Sequence, residues 1–97
     1  MIKHIVFWQI KDELEKQIVM PKMKQMLVSL VGEIDGLVSA EVGFNYNGGD
    51  YDIALYSVFE SKEALALYAD HPEHLVVKKY VHEVIKGRAA VDYEILF

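Results

Sequence analysis

No cysteine occurs among the 97 residues, which removes disulfide bridges, thiolate metal ligation and cysteine nucleophiles together. Cations are scarce as well: ten Lys and Arg stand against fifteen Asp and Glu, for a net charge of −5. Nucleic-acid binders neutralise runs of phosphates with clustered cations. The sequence has no such cluster, so no nucleic-acid partner is expected. Long apolar runs are missing too. Stretches such as Met26-Leu27-Val28 and Ile53-Ala54-Leu55-Tyr56 fall far short of the ~20 residues that span a bilayer, and no membrane partner is expected. The first residues, MIKHIVFWQIKDE, carry only a brief apolar stretch with charge at once behind it and no small-residue cleavage site, unlike a secretory signal. The expected location is the cytoplasm. Linkers, internal repeats and low-complexity segments are absent.

What is present reads as globular: 53% hydrophobic and 26% charged residues. The length suits one domain over residues 1–97, near the size at which burial only just suffices.

Residues 2–11, IKHIVFWQIK, are β-branched and aromatic and predict a strand. One face carries Ile2, His4, Val6, Trp8 and Ile10. The other carries Lys3, Ile5, Phe7, Gln9 and Lys11. Met20, Met23, Leu27, Leu30, Val31 and Ile34 follow at three- and four-residue steps, a helical stripe. Pro21 is tolerated in a first turn and costs ~3 kcal/mol further in, which places the helix start near Met20; residues 13–19 read as a separate turn. Gly36 supplies the left-handed stop. Residues 37–46 alternate, with Val38, Ala40, Val42, Phe44 and Tyr46 on one side. Asn47-Gly48-Gly49-Asp50 is a turn, and residues 51–59 complete an antiparallel hairpin. Ser61 caps a short helix, SKEALALYA. Asp70 and Glu73 bracket the next helix start as an Asp-x-x-Glu capping box, with Pro72 in the first turn, and that helix runs to Gly87. Residues 88–97 form a last strand with Ala89, Val91, Tyr93, Ile95 and Phe97 on one face. The order is that of a ferredoxin-like α+β fold, βαββαβ, with helices on one face of a four-stranded antiparallel sheet.

Helices cover only one face of such a sheet, and a wet second face should alternate with polar residues. The first and third strands do not: both faces are apolar in the middle. Three or four exposed side chains of this kind make a patch of roughly several hundred Å2, the mark of an interface. A homodimer with sheets packed face to face is expected.

Two of the four histidines, His71 and His74, sit three residues apart around Pro72. Such a pair can bind a divalent metal, but a stable site needs more ligands. Glu73 leaves the helix about 100° from His74, and His82 lies about 12 Å further along the axis, so a transition-metal site is not expected; a loosely held hard cation at carbonyls and carboxylates stays open. Asn47-Gly48-Gly49-Asp50 is no phosphate cradle, since neither helix nor lysine follows. Ser61 has a capping role and no histidine in register.

IKHIVFWQIKD, VSAEVGFN, YDIALYSVFESKEALALYADHPEHL and RAAVDYE together resemble the stress-responsive A/B barrel (Dabb) family over essentially the whole chain. The His-Pro-x-His at the helix start is the most specific part. The resemblance implies a dimeric α+β barrel. In plant relatives that act as polyketide cyclases, a first-strand histidine and the second histidine of His-Pro-x-His form an acid–base pair, with a tyrosine shortly before. Carried over, these are His4, His74 and Tyr68; the polyketide-tail pocket has no matching motif. The candidate pocket residues are Val6, Trp8, Tyr56 and His71, with Phe44 and Tyr46 as further aromatic walls. One imidazole would take a proton from a carbon next to a carbonyl while the other, or the Tyr68 hydroxyl, donates to the oxyanion. The expected ligand is a small apolar carbonyl compound, and no cofactor is required. The competing expectation is a non-enzymatic stress or interaction protein with structural histidines; a cofactor-free oxygenase is a third reading.

Overall fold

The structure, a computed structural model, describes residues 1–96; Phe97, placed by its alternation on the last strand, lies outside them. Strand β1 (Ile2–Ile10) buries Ile2, Val6, Trp8 and Ile10 on one face, with His4 half-buried between them. Helix α1 spans Lys16–Val28. It begins a full turn before Met20, with Pro21 inside it, correcting the expected start. Starting early buries Val19 in line with Met23 and Leu27, and exposed Pro21 leaves the Gln17 carbonyl free to be hydrated. The helix also ends early. Leu30 and Ile34 are buried from a series of tight turns, while Val31 is exposed. Gly36, at φ +89°, then closes against helix α2 (Lys62–Asp70): a Cβ there would stand 2.5 Å from the Ala64 Cβ.

Strands β2 (Leu37–Phe44) and β3 (Ile53–Phe59) form the expected hairpin. A register shift between Leu37 and Ser39 lets both Leu37 and Ala40 turn toward the helices, breaking the uniform alternation predicted from Val38 onward. Helix α2 (Lys62–Asp70) is capped by Ser61, whose Oγ accepts from the Ala64 N–H at 3.1 Å. Asp70 does not cap α3 (Pro72–Val84), because it is still the last residue of α2. The cap is His71. Pro72 holds it extended (φ −65°, ψ 134°), and its Nδ1 accepts from the Glu73 N–H at 3.1 Å. Helix α3 stops at Val84 rather than Gly87 and passes without a loop into β4 (Ile85–Glu94).

The sheet order is β2-β3-β1-β4 with every pairing antiparallel, the ferredoxin-like arrangement predicted. The helices supply Val19, Met23, Leu27, Ala64, Tyr68, Val77, Val81 and Val84 to one core on one face of the sheet. On the other face Phe7, Tyr56, Val91 and Tyr93 are 37–61% exposed, sharing that side with Ile5 by register. No helix among the described residues is long and apolar enough to cross a membrane.

Candidate active site

Between α2, α3 and the inner face of the sheet lies a cavity of about 430 Å3, lined by His4, Val6, Trp8, Leu55, Tyr68 and His74 among others. Of the residues predicted for a site, it therefore brings His4, His74, Tyr68, Val6 and Trp8 together. Two others lie elsewhere. Tyr56 opposes Ile5 across the β1–β3 pairing and so belongs to the outer face of the sheet, because alternation along β3 separates it from Leu55. His71 is taken up by capping α3 and lines a different depression with Asp70 and Pro72. The aromatic walls also differ: Phe44 and Tyr46 line a separate hollow beside the β2–β3 hairpin.

His4 is set by register. It stands opposite Ser57 of β3 and Asp92 of β4, and the buried Ser57 hydroxyl donates to the His4 carbonyl at 3.0 Å. The His4 Nδ1 is hydrogen-bonded to the Asp92 carboxylate. With Nδ1–H donating to a carboxylate, the neutral ring presents its Nε2 lone pair to a cavity ligand. Asp92 was absent from the residues predicted. Its signal was nonetheless in the sequence: it alternates with Val91 and Tyr93, so a carboxylate falls on the helix-facing side of an edge strand, where apolar residues are the rule.

His74 sits on the first turn of α3, its ring 4.1 Å centroid to centroid from Tyr68, which in turn meets Phe59 edge-on at 4.9 Å. His74 Nδ1 lies 3.2 Å from the Ala69 carbonyl; the proton that makes this bond must be on Nδ1, leaving Nε2 as the basic nitrogen. Burial lowers the His74 pKa from its usual 6.5, the Ala69 bond opposes that, and the Lys78 and His4 charges lower it further. His4 and His74 thus lie within electrostatic reach of each other. Burial pushes the Tyr68 hydroxyl up to about 12, so it remains a proton donor throughout the neutral range.

These shifts predict a pH profile for folding. The unfolded chain protonates its histidine at 6.5 while folded His74 resists, so stability is full above 6.5 and falls as the pH drops through 6.5 toward the lower folded value. Tyr68 acts at the alkaline end: its contribution is complete below 10 and is lost as the pH rises to about 12. Urea titrations across pH should show both slopes, with the acid one shallower in His74→Gln. An unchanged acid slope in that variant would remove His74 as its cause.

The chain is similar in sequence and fold to known proteins. A dimeric protein of unknown function and ferredoxin-like fold from Bacteroides fragilis is 38% identical, with a TM-score of 0.89 over 97% of this chain and 95% of that one. A protein of Arabidopsis thaliana is 23% identical, with a TM-score of 0.87 over 100% of this chain and 97% of that one. A hydroxynitrile lyase from Passiflora edulis is 18% identical, with a TM-score of 0.85 over 97% and 92%. The last two likenesses are of fold alone. Curated proteins give no match. The sequence profile described as "Stress responsive A/B Barrel Domain" matches residues 2–95, and the chain belongs to that family.

Proposed function

We propose that this protein is a homodimer whose sheet–helix cavity binds a small apolar carbonyl compound, with His4 and His74 as its acid–base pair. The observation that supports it is the convergence of two differently held imidazoles and a protonated phenol on one apolar cavity. Neutral His74 takes a proton from the carbon next to the carbonyl through Nε2. The C–H electron pair moves into the new C=C bond, and charge develops on the carbonyl oxygen. The Tyr68 hydroxyl hydrogen-bonds to that oxygen; His4, entering the step protonated at Nε2 as well as at the Asp92-bound Nδ1, gives its Nε2 proton to the product, and His74 releases the proton it took to solvent. Proton removal and return complete an isomerisation; in an aldol-type cyclisation the enolate carbon instead bonds to a second carbonyl carbon of the same ligand, whose oxygen takes the returned proton. Asp92 is a positioning residue: it fixes the His4 tautomer without touching the ligand.

A thermal-shift screen of apolar ketones and aldehydes tests this reading. At a tenfold excess over Kd, a ligand stabilises the native state by about 1.4 kcal/mol, or roughly 6–11 °C for a domain of this size. Ligands that do so for the wild type are expected to lose most of the effect in His74→Ala. A ligand that stabilises both proteins equally shows that His74 lies outside the binding site, leaving the histidines structural.

A further inference from the structure

The chain is acidic overall, yet the lining of this cavity is not. It includes Lys62, Lys78 and Arg88 and one carboxylate, Asp92, which His4 engages. Lys62 has Glu94 at 3.9 Å. Among the described residues, Lys78 and Arg88 make no ion pair.

The fold sets these two cations on one cavity. Helix α3 passes directly into β4 at Val84–Ile85; laid end to end the two would measure about 50 Å, more than the molecule's longest dimension of 39 Å, so the chain bends there. Lys78 precedes Ile85 by seven helical residues, about 10 Å. Arg88 follows it by three strand residues, also about 10 Å. Both line the cavity, one from the helix wall and one from the sheet wall. His74 stands one helical turn from Lys78, about 6 Å along the axis.

We infer that the cavity selects an anionic ligand, an oxo acid whose carboxylate meets Lys78 and Arg88 while its apolar body lies against Val6, Trp8 and Leu55. This rests on the carbonyl-binding reading above and narrows it to a substrate class. The 6 Å offset from Lys78 to His74 spans about four carbon–carbon bonds, so the ketone sits several carbons from the carboxylate. A guanidinium can pair with both carboxylate oxygens, while Lys78 acts as a point charge.

Calorimetric binding of 5-oxodecanoate and of its neutral amide, 5-oxodecanamide, decides the matter. At low salt the acid is expected to bind about tenfold tighter, equivalent to about 1.4 kcal/mol. The preference should shrink between about 10 mM and 1 M salt, where the screening length falls from about 30 Å to 3 Å. It should also fall below about threefold in Lys78→Gln/Arg88→Gln. Both positions are exposed, so that variant should melt like the wild type. An amide that binds as tightly as the acid overturns the anion assignment and leaves the cavity reading standing. Acid selectivity that survives in the double variant overturns it as well. Binding of neither compound overturns both readings together.

Discussion

Phe59→Ala is expected to destabilise the protein by about 3–5 kcal/mol, a large share of the roughly 5–15 kcal/mol that holds a small domain folded. Phe59 is fully buried and among the bulkiest such residues. It ends β3 and packs behind His4 and Tyr68. Its ring meets His4 edge-on at 6.1 Å and Tyr68 at 4.9 Å, so one side chain ties the core to both site residues. Its removal forfeits the transfer energy of an aromatic ring and leaves a void that rigid strands on either side cannot close. Urea unfolding should show a lower midpoint at unchanged slope, and ligand stabilisation should weaken because the Tyr68–His74 stack loses its floor. Phe59→Leu, which refills most of the volume, should recover much of the stability. A loss below about 1 kcal/mol in Phe59→Ala would show that Phe59 does not anchor this region.

If the chain forms the proposed homodimer, Val91→Glu is expected to leave it a folded monomer. Val91 is 61% exposed on β4 and stands opposite Ile5 on the helix-free face, with Phe7, Tyr56 and Tyr93 close by on the same side. In a single chain a glutamate there stays in water and costs little. In a face-to-face dimer two-fold symmetry buries it twice, and each buried unpaired carboxylate costs several kcal/mol. Sedimentation at micromolar concentration should report the mass of one chain, with native circular dichroism. Leu67→Glu, at a still more exposed position on α2, serves as the control and should leave the dimer intact. A Val91→Glu protein that sediments as a dimer would place the interface elsewhere.

The sequence and the tertiary structure contributed different things, and the division follows the range of the forces involved. Alternation and helical periodicity are properties of neighbours along the chain, and they were sufficient for the strand and helix order and for the apolarity of both faces of β1, Val6 and Trp8 on one and Ile5 and Phe7 on the other. The local grammar was less reliable at boundaries, where burial outweighs it. The core drew Val19 into α1 despite Pro21, and Asp70 stayed in α2 while Pro72 made His71 the cap. Alternation also carried a separation that the candidate pocket overlooked, since it places Tyr56 opposite Leu55.

The composition of the site depends on pairings across the sheet. His4 and Asp92 are 88 residues apart and meet because β1 and β4 lie side by side in one antiparallel register, set by the summed burial of both strands. Lys78 and Arg88 line one cavity from two elements, α3 and β4, that follow each other directly at Val84–Ile85. The His-Pro-x-His stretch named His74, the resemblance paired it with His4, and the packing of α3 over the sheet set both on one cavity. Residue types and periodicity reside in the sequence, whereas a shared cavity is a property of the packed fold, because its walls come from elements that touch only once the sheet has closed.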